Sequence, residues 1–405
     1  MTVRSFSEKL CDPLVTEDYV IQTMEDVSPT KWHLAHTTWF FETFVLKQFY
    51  PDYKPFDSRF AYLFNSYYVQ AGDRHCRPKR GFLSRPTVEE VYQYRGYVDR
   101  HVQELLIEPE EHDPETYRRI VIGINHEQQH QELILTDIKH VLSENPLHPA
   151  YSEDGLPGND ALPPPIRWVE FLGGLQDIGY DGDDFFYDNE GPVHKYYLEP
   201  FALSSRLVTN REFLEFMEDG GYERQEIWLS DGWAARESAG WSAPGYWEHV
   251  DGKWHCFTLH GLKPVNPDEP VCHVSYFEAD AYARWADARL PTEFEWEVAS
   301  ASVSPEGNFV EGEYWHPLPV SSGSGEPAQM FGDVWEWTRS QYSPYPGYRP
   351  EPGALGEYNG KFMCNQFVLR GGSVATSETH IRRTYRNFFH PGARWQFSGI
   401  RLARF

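Results

Sequence analysis

The sequence predicts two domains of unlike texture: an N-terminal four-helix bundle and a C-terminal α+β domain with much irregular structure. Three observations lead there. Residues 1 to about 145 contain long stretches with helical spacing of apolar residues. Residues 146–165 lie in the run NPLHPAYSEDGLPGNDALPPP, whose prolines and glycines mark a linker. Beyond it, short segments alternate with Gly, Pro and Asp turns. A chain of 405 residues has room for two or three such domains.

The elements follow in order. Glu17 to Met24 reads as a first helix. Ser28-Pro29-Thr30 opens a second that runs to about Tyr50, before Pro51, with Ser28 as N-cap and Pro29 in the first turn. A loop rich in Tyr, Gly, Pro and Arg spans Pro51 to Arg85. The third helix covers about Thr87 to Glu108 and the fourth about Pro114 to Leu142. Past the linker only Thr209–Met217 and Tyr276–Asp287 read as helices. No repeat or low-complexity tract interrupts the chain.

Composition narrows the function. The net charge is −25, and a phosphate backbone requires basic surface, so a nucleic-acid role is excluded. The five cysteines are scattered and form no CxxC, which suits a reducing cytoplasm. The first fifteen residues lack a long apolar stretch, so no signal peptide is expected. No run approaches the roughly 18 apolar residues of a membrane span.

One pentapeptide carries chemistry: His126-Glu127-Gln128-Gln129-His130. Two histidines four apart on a helix face the same way, one turn above the other. They can hold one metal ion and leave its far side open. The second helix carries Trp32-His33-Leu34-Ala35-His36, so His33 and His36 are candidates for a third ligand. Three neutral imidazoles suit Fe(II) with open positions, and equally zinc with one activated water. The pentapeptide also spells the zinc-protease HExxH, with Glu127 as general base. That reading needs a ligand downstream, for which Glu132 and Glu144 are the nearest glutamates, and the extended form with Gly and a further His is absent. A ligand imidazole donates its other N–H to an acceptor, here Glu127 or Glu42.

Trp32-His33-Leu34-Ala35-His36 followed by HEQQHQEL resembles the DinB-like bundle of the ergothioneine sulfoxide synthases (hercynine oxygenases). Further segments resemble the formylglycine-generating-enzyme-like (sulfatase-modifying-factor) domain of the same enzymes, a C-type-lectin-like fold. They include Ala288-Arg289-Leu290-Pro291-Thr292-Glu293, Gly332-Asp333-Val334-Trp335-Glu336-Trp337, Arg370-Gly371-Gly372-Ser373 and Gly399-Ile400-Arg401-Leu402-Ala403. The resemblance implies a DinB-like four-helix bundle with an iron site over 1–145, a linker over 146–165 and a formylglycine-generating-enzyme-like domain over 166–405. It implies Fe(II) held by His36, His126 and His130, with O2 as co-substrate. His33 becomes a neighbour of the ligands. The implied reaction joins the sulfur of a thiol, cysteine in preference, to C2 of the hercynine imidazole and gives a sulfoxide. Alternatives are γ-glutamylcysteine or a selenosugar as donor, and a zinc hydrolase.

The resemblance also assigns contacts. Tyr67-Tyr68 resembles the tyrosine pair of the cysteine-using branch and supplies the catalytic phenol. Arg77 and Arg80, in the basic island Asp73–Arg80, match its carboxylate-binding pair. Gln129 matches a hercynine contact. Asn387-Phe388-Phe389 matches the segment that receives the betaine, an amide for its carboxylate and aromatic faces for its trimethylammonium. Trp395 and Phe397 are expected to wall the cleft. One departure is informative: Val374 to Asn387 contains no cysteine, where true formylglycine-generating enzymes carry two copper ligands. Oxidation of sulfatase cysteines is therefore not expected, nor is a methyltransferase domain after Phe405.

Overall fold

The computed structural model describes residues 2–107, 113–155, 162–320 and 327–405. It divides into two compact units, Met1–Tyr151 with Glu351–Tyr358, and Ser152–Pro350 with Asn359–Phe405. Residues 156–161 of the expected linker, and Glu108 at the expected end of the third helix, lie outside the described residues.

The first unit is built from four helices, α1 (Thr2–Lys9), α2 (Thr30–Phe41), α3 (Val88–Leu105) and α4 (Pro114–Ser143). Central α2 packs against both α3 and α4, and α1 packs on α4. Every residue of α2 is buried, which is why its sequence, TKWHLAHTTWFF, has no polar face to show. Thr87 and Glu90 close a capping box on α3. Asp113 caps α4 and Pro114 occupies its first turn, where a missing N–H is harmless. Gly123 lets α4 approach α2 closely: a Cβ there would stand 2.7 Å from the Phe41 ring, just before the HExxH turn.

Two sequence expectations are corrected. Glu17–Met24 forms only a 3₁₀ turn at Asp18–Val20, after which Ile21 is extended. β-branched Val20, Ile21 and Thr23 disfavour a short helix. The Gln22 amide instead donates to the carbonyls of Val27 and Arg77, and the first helix is Thr2–Lys9. Ser28 is not the N-cap of α2: Pro29 is, and the Ser28 hydroxyl accepts from Arg80 Nη1 at 2.8 Å. The expected span to Tyr50 is kept, with a π-turn at Glu42–Leu46 followed by Lys47–Phe49. Glu42, fully buried, accepts there from Tyr53 Oη, Tyr94 Oη and the Phe56 amide at 2.8–3.2 Å.

The second unit is α+β. One antiparallel sheet has the order β1 (Trp168–Phe171), β4 (Phe201–Ser204), β12 (Ala403–Arg404). Another runs β10 (Asn387–Phe389), β9 (Phe367–Arg370), β8 (Trp335–Gln341), β11 (Ser398–Gly399), with β11 parallel to β8. Strands β2 (Gly174–Ile178) and β3 (His194–Leu198) pair alone, and β5 (Trp247–Val250), β6 (Lys253–Thr258) and β7 (Gly261–Pro264) form a meander. Helices α5 (Asn210–Glu218) and α7 (Tyr276–Trp285) answer the two expected ones. Two more were missed: α6 (Ser230–Ala239), which ends at left-handed Gly240, and α8 (Glu293–Ala299), capped by Thr292 and Glu295. Trp335 and Trp337 are core residues. So is Phe397, fully buried against His273 where a cleft wall was expected. Buried ion pairs, Arg401–Glu336 at 2.7 Å and Arg370–Glu297 at 2.9 Å, tie distant segments together.

Candidate metal centre

Helix α2 delivers His36 and α4 delivers His126 and His130 to one point inside the helical unit. One ring nitrogen of each lies within 4.8 Å of the others, and all three rings are buried. Burial, reinforced for His36 and His130 by neighbouring imidazoles, pushes both well below the ordinary histidine pKa. Burial takes His126 down to about 3 although Glu127 opposes it. Each ring is therefore neutral and carries a lone pair, the state a metal requires.

The donor set fits a metal. Nε2 of His36 and both nitrogens of His126 are buried without a hydrogen-bond partner among the described residues. Leaving such atoms unsatisfied costs about 1–3 kcal/mol each. A divalent ion would satisfy one per ring. His36 Nδ1 lies 2.6 Å from the carbonyl of Phe64, which can only accept, so its Nε2 is the free donor. His33 does not join the trio: its Nδ1 meets His130 Nδ1 at 2.8 Å and its Nε2 meets Asp137 Oδ2 at 2.9 Å.

Neither carboxylate expected to orient the imidazoles does so. Glu42 is engaged at the π-turn described above. Glu127 accepts from Arg4 Nη1 at 2.7 Å, Arg95 Nη2 at 2.6 Å and Ser7 Oγ at 2.6 Å. Burial alone would raise its pKa, but the two guanidiniums prevail and hold it at about 2. A carboxylate this acidic and this fully occupied is a poor general base.

The tyrosine pair reaches the trio through shared neighbours: the Tyr68 ring packs on Phe40, whose ring lies 4.7 Å from that of His126. Asn65 shapes its loop, accepting from the Tyr68 amide and donating to the carbonyls of Tyr68 and Gly72 at 2.9–3.1 Å. The preceding residue, Phe64, is the one that orients His36. Tyr68 is fully buried against Trp39, Phe40 and Phe44, and Tyr67 stacks on it with ring centroids 4.5 Å apart. Their hydroxyls are 3.4 Å apart.

Of the arginine pair, only Arg80 turns inward. It is 4% exposed, lies 3.3 Å above the Trp32 ring, and Trp32 in turn stacks on His36 at 4.6 Å. Its Nε is buried without a partner, and no carboxylate pairs with it among the described residues. Arg77 is half-exposed and turned to Asp26, whose carbonyl it meets at 2.6 Å.

Gln129 accepts from the hydroxyl of Tyr358, a residue the sequence reading missed. The Tyr358 ring lies 5.8 Å from that of His126 and 6.4 Å from that of Tyr67. Glu357 fastens its segment, accepting from the Val69 and Gln70 amides at 2.9 and 2.8 Å. No motif marks Tyr358, which lies far along the chain from its partners. Asp137 did have a signal, standing seven residues after His130 on the same helical face.

Asn387, Phe388 and Phe389 form β10 of the second unit. Phe388 stacks on Tyr342 at 4.1 Å and Phe389 meets Trp395 edge-on at 5.7 Å. Asn387 Oδ1 accepts from the Phe388 amide at 2.9 Å.

Comparison with known proteins agrees with both halves. Residues 2–134 match the DinB superfamily, and 159–328 with 326–405 match the sulfatase-modifying factor enzyme 1-like domain. The hercynine oxygenase of Mycolicibacterium smegmatis is 34% identical over 93% of this chain and 91% of its own length. That of Mycolicibacterium thermoresistibile is 33% identical over 93% and 87%. That of Mycobacterium tuberculosis is 36% identical over 69% and 70%. With both domains matched in order and near-complete relatives at this identity, the chain belongs to the hercynine oxygenase family.

Proposed function

We propose that this chain is an iron(II)- and O2-dependent sulfoxide synthase of ergothioneine biosynthesis, joining a thiol, cysteine in preference, to C2 of the hercynine imidazole. One thiol, one imidazole C–H and one O2 give one sulfoxide and one water. The observation that supports this above all is the buried trio of neutral imidazoles, a ligand set that adds no negative charge and leaves positions open for two substrates. Bound Fe(II) would supply the redox chemistry with O2 and favour the thiolate form of the sulfur donor.

The chain's own groups have separate tasks. Arg80 is the receptor for the thiol's carboxylate, a buried guanidinium that pairs with no protein carboxylate among the described residues. Tyr67 and Tyr68 hold a phenolic proton beside the trio and steer the oxidation away from a simple sulfinate. Gln129, with Tyr358, presents an amide and a hydroxyl to the hercynine ring. Asn387, Phe388 and Phe389 are assigned to the betaine, whose permanent cation has no N–H to donate and is received by aromatic faces. The hydrolase alternative loses its base, since Glu127 is locked by Arg4, Arg95 and Ser7.

Protein loaded anaerobically with Fe(II) is expected to consume O2 only when hercynine and cysteine are both present. Zinc-supported peptide hydrolysis without that uptake would sink the proposal. Tyr67→Phe and Tyr68→Phe, assayed separately by product chromatography, are expected to move product from sulfoxide to cysteine sulfinate in at least one case. An unchanged ratio in both would place the phenol elsewhere.

A further inference from the structure

His33 touches the trio at His130, Asp137 touches His33, and neither has a part in the chemistry above. Both are almost fully buried, at 2% and 3% exposure. His33 stands one turn before His36 on α2, and Asp137 two turns after His130 on α4, so each lies on the same face of its helix as a ligand. They form a chain: Asp137 Oδ2 to His33 Nε2 at 2.9 Å, then His33 Nδ1 to His130 Nδ1 at 2.8 Å. Asp137 Oδ2 also accepts from the Ser28 amide at 2.8 Å, which fixes the carboxylate where α2 begins.

Proton counting decides what this chain does. A carboxylate only accepts, so His33 Nε2 carries a proton. Neutral His33 then has its lone pair on Nδ1. A contact between two ring nitrogens needs one proton and one lone pair, so the proton there belongs to His130 Nδ1. The lone pair of His130 is left on Nε2. A positively charged His33 would do the reverse: it would donate to His130 Nδ1 and consume the lone pair there.

We propose that His33 and Asp137 are positioning residues that lock His130 in the Nδ1–H tautomer and commit its Nε2 to the metal. This rests on reading the trio as a metal centre. The Phe64 carbonyl does the same for His36. The difference is that His130 is backed by an anion two groups away, which raises the donor strength of its ring. His126 has no such support, since among the described residues neither of its nitrogens has a hydrogen-bond partner.

The test uses metal binding, not turnover. Full-length apoprotein is titrated anaerobically with Co(II), following its visible absorption, and with Fe(II) by competition. His33→Leu is expected to weaken binding about 10–100-fold and shift the Co(II) band, as loss of an outer partner does. His33→Gln can accept from His130 and donate to Asp137, and is expected to restore most of the affinity and the native band. A packing role predicts the opposite, because leucine fills the buried site without bringing a new polar group. Native affinity in the leucine variant, or a glutamine variant no better than leucine, overturns the proposal. If His33→Leu fails to fold, Asp137→Asn decides, since it keeps the volume and removes the anion. Unchanged Co(II) affinity there also overturns it. His36→Ala serves as the separate control: native affinity in that variant would fail the metal-centre reading itself, whatever the His33 variants do.

Discussion

His36→Ala is expected to empty the metal centre and abolish hercynine-dependent oxygen uptake. The two remaining histidines come from one helix and grip an ion from one side only, whereas His36 arrives from α2 and completes the set. Loss of an outer hydrogen-bond partner already costs about 10–100-fold in metal affinity, so loss of a ligand should exceed about 100-fold. The fold should survive, because α2 keeps its wholly buried packing between α3 and α4. Iron content by elemental analysis, read beside a circular dichroism spectrum, checks both statements. Full iron content in a folded His36→Ala protein would remove His36 from the ligand set and overturn the reading of the trio as the metal centre.

Glu127→Ala should produce the largest loss of stability. The carboxylate is fully buried between Arg4 of α1 and Arg95 of α3, and its removal takes one carboxylate from each of two buried guanidiniums, which keep Asp99 and Glu8 as their other partners. Breaking such a pair costs about 3–5 kcal/mol, a large part of the stability of most domains. Urea denaturation measures it as a lower midpoint. The pH dependence follows from the same contacts. The folded pKa of about 2 lies below the ordinary 4.5, so the stabilisation is complete above about pH 4.5 and is lost as pH falls towards 2. The native protein should show this acid limb, and Glu127→Gln should flatten it while keeping metal. Were Glu127 instead a hydrolytic base, the glutamine variant would lose turnover with its stability intact.

Local signals in the sequence were read well, and distant pairings were not. The starts expected at about Thr87 and Pro114 agree with those of α3 and α4, although the caps, Thr87 and Asp113, went unnamed. The HExxH spacing needs only one helix to place its two rings. By contrast α1 was missed, because its buried face includes Arg4 and Ser7, which look like surface residues until Glu127 supplies their partner. Ser28 was read as a cap because it precedes Pro29, but Arg80, far along the chain, claims its hydroxyl. The same limit applies to β12, which pairs with β4 across some two hundred residues, and to Tyr358 beside Gln129. In each case the deciding partner is remote, and no periodicity records it.

The helical unit is not one continuous stretch of chain, since Glu351–Tyr358 belongs to it. An exchange of gene segments that swapped only the first 151 residues between relatives would transplant the three histidines and leave Tyr358 and Glu357 behind. Ion binding could thus pass to a hybrid intact while the phenol meeting Gln129 came from the other parent. The halves of such a chimera are expected to be compatible only when residues 351–358 travel with the bundle, which makes that short loop a natural unit of inheritance for the site.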